Sequence, residues 1–319
     1  MEKHNLFSIL QFGYPPLSAY EFDKLRDDKE IQKALENSVL YIIARRPLIQ
    51  FDDYVLNKDE KTISFNLSRA NLKVKLACKF YLESYEVLCK PNLKILNGSF
   101  TNDPMKIHGF QIFDGETGEG LLWFNAEKFL YAVSHNLFKA DIKGNIFDFM
   151  TFEVLYVGKC TDEPIYKRFK NHHALQQILI NENIITHEYQ NSHELVIIPF
   201  EYQDNAIIKT YDGSNIEDLI TDQQKIANIS NKSIALDEEK ALIKCLNPKY
   251  NSVKYKEYPK SSDGLYKEDL GVITYSFAEN FRLKYAEGSI LGNVNPYDPS
   301  VSFIGVQGQK AEVLNLEKI

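Results

Sequence analysis

Tyr156-Val-Gly-Lys-Cys160, followed by Arg168-Phe-Lys-Asn-His172-His173, is the stretch on which the reading of this chain turns. Glu153-Val-Leu-Tyr-Val157 has the β-branched, aromatic texture of a strand, and Gly158 sits at its end. The helix predicted from about Pro164 to Asn181 places Arg168 and His172 four residues apart, hence on one side. Ile165, Phe169 and Leu179 share that sector, so charged and aromatic groups lie together toward the core. A guanidinium held there offers fixed donors to a phosphate, with the Tyr156 hydroxyl and Lys159 at the mouth of the same pocket.

A second run complements the first: Glu238-Glu-Lys-Ala-Leu-Ile-Lys-Cys-Leu-Asn-Pro-Lys-Tyr-Asn251. It reads as the end of a helix from about Leu236 to Cys245 that stops before Asn247-Pro248. On a helical wheel at about 100° per residue, Glu239 falls among Leu236, Leu242, Ile243 and Leu246. Glu238 falls at the edge of that stripe, where an ordinary solvated carboxylate belongs. A carboxylate withdrawn from water is costly unless paired or bound to a cation. Glu239 is therefore a metal-ligand or ion-pair candidate.

Outward from these segments, Ser18-Ala-Tyr-Glu21 has the form of a capping box and opens a helix predicted to about Asn37. Short alternating runs at Thr62–Leu67, Leu72–Leu76, Tyr85–Leu88 and Phe110–Phe113 predict an antiparallel sheet. Asp114-Gly-Glu-Thr-Gly-Glu-Gly120 lacks the Lys-Ser/Thr ending of a phosphate loop and reads as a turn. A helix is predicted over Asn125–Asn136, a strand over Glu194–Tyr202, a helix near Ile216–Ala227, and strands over Val272–Phe277 and Val301–Val306.

The 319 residues fit about two domains. With 44% hydrophobic and 25% charged residues, the chain is neither disordered, collagenous nor a coiled coil as a whole. Four cysteines without a CxxC pair argue against a zinc ribbon and a disulfide-dense secreted domain, and predict buried free thiols. The net charge of −7 provides no global attraction to nucleic acid, so any such site is local. Between Lys159 and His173, Lys159, Lys167, Arg168 and Lys170 face only Asp162 and Glu163, enough for one phosphate. Arg45, Arg46, Lys73, Lys75 and Lys79 are the candidates for further phosphate contacts. Residues 1–10 lack the apolar region of a signal peptide, and no run reaches the roughly 18 apolar residues of a membrane helix, so a soluble, cytoplasmic protein without membrane contact is expected.

In sum these residues resemble the GIY-YIG nucleases, a superfamily that includes an excision-repair endonuclease subunit, homing endonucleases and restriction enzymes. Tyr156-Val-Gly158-Lys159 is similar to its second signature, Arg168 to the helix arginine, His172 to the residue four positions on, and Glu239 to the metal-binding glutamate. The twelve-residue step to Asn251 is similar to the repair and restriction branches. The resemblance implies an α+β fold over 141–258: a small mixed three-stranded sheet with flanking helices and an insertion near Tyr211–Lys232. A β-rich N-terminal domain of unassigned role (1–140) would precede it and a C-terminal extension (259–319) follow it.

The resemblance further implies a metal-dependent endonuclease, of restriction type, that hydrolyses double-stranded DNA, leaving a homo-oligomer open. Glu239 would hold Mg²⁺ or Mn²⁺, Tyr156 would act as general base or orient the water, and Lys159 would favour its ionised form. Arg168 would clamp a phosphate oxygen, His172 would position or share a proton with the water, and Asn251 would fix the loop beside Glu239. The first signature is expected about ten residues before Tyr156, where the chain reads Gly144-Asn-Ile-Phe-Asp-Phe149. Ile146 or Phe147 stands in the tyrosine place, so a hydroxyl is expected to be missing, with Tyr131 or Tyr166 as replacements. A degenerate relative that only binds nucleic acid or protein is the alternative.

Overall fold

A computed structural model describes residues 3–69, 74–98, 107–182, 193–208, 229–268 and 270–315. The chain begins with β1 (Asn5–Phe12), β2 (Leu17–Ser18), α1 (Ala19–Leu25), α2 (Lys29–Ala34) and β3 (Leu40–Pro47). It continues through β4 (Ile49–Asn57), β5 (Thr62–Arg69), β6 (Lys75–Tyr81), β7 (Leu93–Gly98), β8 (Gly109–Asp114), β9 (Gly120–Asn125), α3 (Ala126–Ser134) and β10 (Ala140–Lys143). Then come β11 (Thr151–Lys159), α4 (Ile165–Arg168), α5 (His173–Glu182), β12 (His193–Ile208) and α6 (Asn231–Leu246). Five strands finish it: β13 (Val272–Phe277), β14 (Arg282–Tyr285), β15 (Gly288–Leu291), β16 (Ser302–Gln307) and β17 (Lys310–Asn315).

The fold is mixed α and β, but the strand Tyr156 occupies does not lie in a three-stranded sheet. It belongs to a ten-stranded one in the order β15-β14-β11-β3-β12-β1-β13-β16-β17, with β2 added to β12. β1 pairs parallel with β13 and antiparallel with β12, and β3 pairs antiparallel with β11. The Leu291 amide donates to Ser302 Oγ at 3.0 Å, linking β15 to β16 within this sheet. The first and last parts of the chain are therefore built into the same sheet as Tyr156.

Two compact units result, and they differ from the three consecutive blocks expected. One comprises residues 1–45, 152–183 and 195–319; the other comprises 46–151 and 184–194. Residues 5–45 lie with β11 and β12 because their apolar strands pair there, and β13 and β16 are interior to the sheet rather than an appendage. Local periodicity reports that a segment is a strand, not which strand it joins.

In the second unit, sheets β10-β6-β5-β4 and β7-β8-β9 enclose a phenylalanine core that includes Phe51, Phe65, Phe80, Phe110, Phe124 and Phe129. Buried Arg46 is held there between Glu127 and Glu194. The Asp114 turn forms as expected, with Asp114 Oδ1 accepting from the amides of Glu116 (2.8 Å) and Thr117 (3.2 Å).

Several predicted elements change form. The capping box opens α1, Glu21 N–H donating to Ser18 Oγ at 3.1 Å and Ser18 N–H to Glu21 Oε2 at 2.9 Å. The single helix expected to Asn37 breaks because Asp28 caps a new one, accepting from the amides of Glu30 and Ile31. Glu86–Leu88 is a 3₁₀ turn rather than part of a strand. The helix expected near 216–227 and most of the insertion expected near 211–232 lie outside the described residues. Among the described residues no helix is long and apolar enough to cross a membrane.

Candidate active site

β3 and β11 run antiparallel with Tyr41 opposite Gly158 and Ile43 opposite Tyr156. A bulge between Val154 and Tyr156 inserts Leu155, and bulges re-aim the side chains that follow them. Leu155 and Tyr156 consequently face one apolar cluster together with Tyr41, Ile43, Ile165 and Phe169. Tyr41 and Tyr156 stack at 6.0 Å between ring centroids. Gly158 is what permits this approach, since a Cβ there would come within 2.5 Å of Tyr41 Cζ and 2.8 Å of Tyr156 Cε1.

Tyr41, 115 residues upstream of Tyr156 in sequence, places a phenol beside it in the sheet. Ile146 and Phe147 instead form a 3₁₀ turn in the second unit. Neither proposed substitute fills the place. Tyr131 lies tilted against His135, ring centroids 4.3 Å apart, in the second unit, and Tyr166 packs at the edge of the apolar cluster.

The helix bearing Arg168 and His172 is interrupted. α4 passes through a 3₁₀ turn, and His172 adopts an extended backbone immediately before α5. The imidazole causes the restart by acting as N-cap: the Leu175 amide donates to His172 Nδ1 at 3.0 Å. Burial, helped by the charge of Arg168, lowers the His172 pKa to about 4, so the ring is neutral near pH 7. A backbone amide can only donate, so the single ring proton lies on Nε2, which donates to Tyr41 Oη at 2.5 Å. Arg168 Nε–H donates to the same oxygen at 3.1 Å.

Tyr41 thus accepts two hydrogen bonds, and burial holds its phenol above the ordinary range despite Arg168. It is fully buried, a neutral positioning residue that fixes Arg168 and His172. Both nitrogens of His172 are engaged, so the expected exchange of a proton with water does not fit this geometry. Among the described residues the two terminal nitrogens of Arg168 form no other hydrogen bond and are available to an anion.

Glu239 lies on α6 and is 8% exposed. Burial pushes its carboxyl above the usual glutamate range, opposed by Lys159, Arg168 and Lys240 within electrostatic reach. Among the described residues it makes neither an ion pair nor a hydrogen bond, so no lysine or arginine has claimed it. Its neighbour Glu238 corrects the helical wheel: it is fully buried rather than solvated. Among the described residues neither oxygen makes a hydrogen bond of normal geometry, and burial, reinforced by Asp237 and opposed by the Tyr202 hydroxyl beside it, holds the carboxyl well above its ordinary range. The reason is that α6 buries ten of its sixteen residues on nearly every side. Asp237, by contrast, is satisfied by the hydroxyls of Tyr258 (2.5 Å) and Tyr275 (2.8 Å) and the Leu265 amide (2.9 Å).

Asn251 is buried and pairs both ends of its amide with the backbone of Val157, accepting at 2.9 Å and donating at 2.8 Å. It extends the hydrogen bonding of β11 between Tyr156 and Gly158, and so positions the strand. Lys159, at the end of β11, stands 4.0 Å from Asp162. No family model, curated protein or solved structure matches this chain.

The structure thus brings Tyr156, Lys159, Arg168, His172, Glu239 and Asn251 into one unit around β11, and adds Tyr41. The Glu239 carboxylate suits a hard divalent cation, which takes one or two carboxylates and completes its shell with water and substrate oxygens. Among the described residues there is no group of three or more His, Cys, Asp or Glu able to hold a metal. The candidates for additional phosphate contacts fare differently. Arg45 pairs with Glu153 and Glu182, Arg46 with Glu127 and Glu194, Lys75 with Asp52 and Asp53, and Lys79 with Glu60; Lys73 lies outside the described residues. The cysteines are free thiols, with Cys78 and Cys160 buried, Cys245 partly buried, and Cys89 exposed.

Proposed function

We propose that this chain is a GIY-YIG-type, metal-dependent endonuclease that hydrolyses phosphodiester bonds of double-stranded DNA, in the manner of a restriction enzyme. The observation that carries the reading is the unpaired, nearly buried Glu239 carboxylate in electrostatic reach of Lys159 and Arg168. The Tyr41 phenol stacked on Tyr156 supports it further, because the paired tyrosines of that family then have counterparts in this chain.

Glu239 would hold Mg²⁺ or Mn²⁺, which when bound supplies neutralisation of phosphoryl charge and stabilisation of the leaving oxygen. Arg168, its Nε fixed by Tyr41, directs its terminal nitrogens at a non-bridging phosphate oxygen. Half-buried Tyr156 orients the attacking water. Tyr41 and His172 hold the arginine, and Asn251 holds the strand.

The test is nicking of supercoiled plasmid by the full chain in Mg²⁺, Mn²⁺ and EDTA, beside Glu239→Gln. Metal-dependent nicking lost in the variant is the expected result. Equal absence of nicking by folded wild-type chain in all three, over several DNAs, excludes the endonuclease.

A further inference from the structure

The segment after Asn251 combines features that the catalytic geometry does not use. Residues 249–261 carry Lys249, Lys254, Lys256 and Lys260 against Glu257 alone, in a chain whose net charge is −7. They form a cavity of about 350 Å³ lined by Lys240, Ser252, Tyr255, Lys256, Lys260 and Ser261, among others.

This loop is fastened to α6 at several points. Lys244 Nζ donates to the Lys256 carbonyl at 2.8 Å, and Lys240 Nζ donates to the carbonyl and carboxylate of Asp263, each at 2.6 Å. Lys254 reaches back to the Pro248 carbonyl, and Tyr258 donates to Asp237 at 2.5 Å. The lysines of the groove therefore divide into two kinds. Lys240 and Lys254 tie the loop in place. Lys256 and Lys260 are exposed and, among the described residues, their ammonium groups have no ion pair or hydrogen bond.

Tyr255 joins this groove to the candidate active site. Its φ of 43° lies in the left-handed region, a strained conformation for a bulky residue. Its phenol is within electrostatic reach of Glu239, Asp263 and Tyr156, and its ring lies 5.9 Å from Lys240 Nζ. An anionic strand laid in the groove meets two unpaired cations, Lys256 and Lys260, beside one carboxylate of the lining, Glu257.

We propose that this groove seats the phosphate backbone of the DNA strand next to the scissile bond, with Lys256 and Lys260 contacting one phosphate each and Tyr255 leading the strand to Glu239. The proposal rests on the nuclease reading for the identity of the strand. It also explains how an acidic chain holds DNA when Arg45, Arg46, Lys75 and Lys79 are committed to carboxylates.

The experiment measures anisotropy of a fluorescein-labelled 30-base-pair duplex of mixed sequence in EDTA, as a function of salt, with plasmid nicking in Mg²⁺ in parallel. The proteins are wild type, Lys256→Gln/Lys260→Gln, and Lys58→Gln/Lys94→Gln as a charge-matched pair in the second unit. Each lost phosphate contact lowers the slope of log affinity against log salt by about 0.9 and weakens binding about eightfold at 0.1 M salt. A slope reduced by about two in the groove variant and unchanged in the other pair is expected. An unchanged slope in the groove variant, an equal loss in both pairs, or no duplex binding by wild type overturns the groove. Metal-dependent nicking by wild type with an unchanged groove-variant slope removes the groove alone. The expected slopes without nicking in any metal remove the nuclease reading and retain the groove.

Discussion

Replacing Glu238 with Gln tests a buried carboxylate held above its ordinary range. It is fully buried, and among the described residues neither oxygen has a hydrogen bond of normal geometry. The folded chain therefore keeps a proton that an unfolded glutamate releases near pH 4.5. A group raised in the folded state contributes stability that is present below its unfolded pKa and lost as the pH rises toward its folded one. Within that window each pH unit lowers the folding constant by about tenfold. Glutamine has the same shape and no proton to lose, so the stability of the variant minus that of wild type should climb about tenfold per pH unit above 4.5. The amide also brings donors of its own, an offset of about 1–3 kcal/mol that does not vary with pH. The slope is thus diagnostic and the offset is not.

The difference must be used because His172 runs the other way. Its pKa is lowered from 6.5 to about 4, so its contribution is present above 6.5 and lost as the pH falls toward 4. Urea unfolding followed by far-ultraviolet circular dichroism between pH 5 and 8 supplies the curves. Trp123 lies in the second unit, and its fluorescence follows that unit as an internal reference. Parallel pH–stability curves for wild type and Glu238→Gln would refute the assignment of a protonated, buried carboxyl.

Tyr41→Phe removes the oxygen that receives Arg168 and His172, and should destabilise the fold by roughly 1–3 kcal/mol for each donor left unsatisfied. Nitrogen NMR of the imidazole should show the proton on Nε2 of His172 and no titration near 6.5; the opposite tautomer in wild type would contradict the site geometry. The nicking rate should rise with pH as Glu239 ionises, and Lys159→Met, which removes a charge that lowers the Glu239 pKa, should move that rise to higher pH. A profile left in place by this substitution would show that Glu239 does not control the rate. Arg168→Ala should lower kcat by roughly a hundredfold or more while changing duplex affinity little, read by single-turnover cleavage and anisotropy.

What was legible in the sequence and what was not divides along local versus distant pairing. β11 and α6 could be read from texture and caps because strands and helices are patterned over neighbouring residues. Tyr41 could not be placed, because its partner Gly158 follows it by 117 residues, most of which belong to the other compact unit. Two signals were nonetheless present: a single hydroxyl within the apolar run Val39–Ala44, and a glycine at 158 that makes room for it. Glu238 was misplaced for another reason. A helical wheel distinguishes faces only when one face meets water, and α6 is enclosed on nearly all of them.

The nesting of the second unit has a consequence for how such a molecule can be altered. Residues 46–151 leave β3 and re-enter β11 where Arg45 already pairs with Glu153, so the chain departs and returns across one rung of a ladder. Opposed residues of antiparallel strands stand about 5 Å apart. Any replacement body whose own two ends are that close meets the geometric demand of this junction without stretching either strand, and closing a longer detour adds only about 0.6 kcal/mol per doubling of its length. Residues 184–194 make a second excursion into the same unit, and Arg46 pairs there with Glu194, so a replacement of residues 46–151 is complete only when that excursion is matched to it.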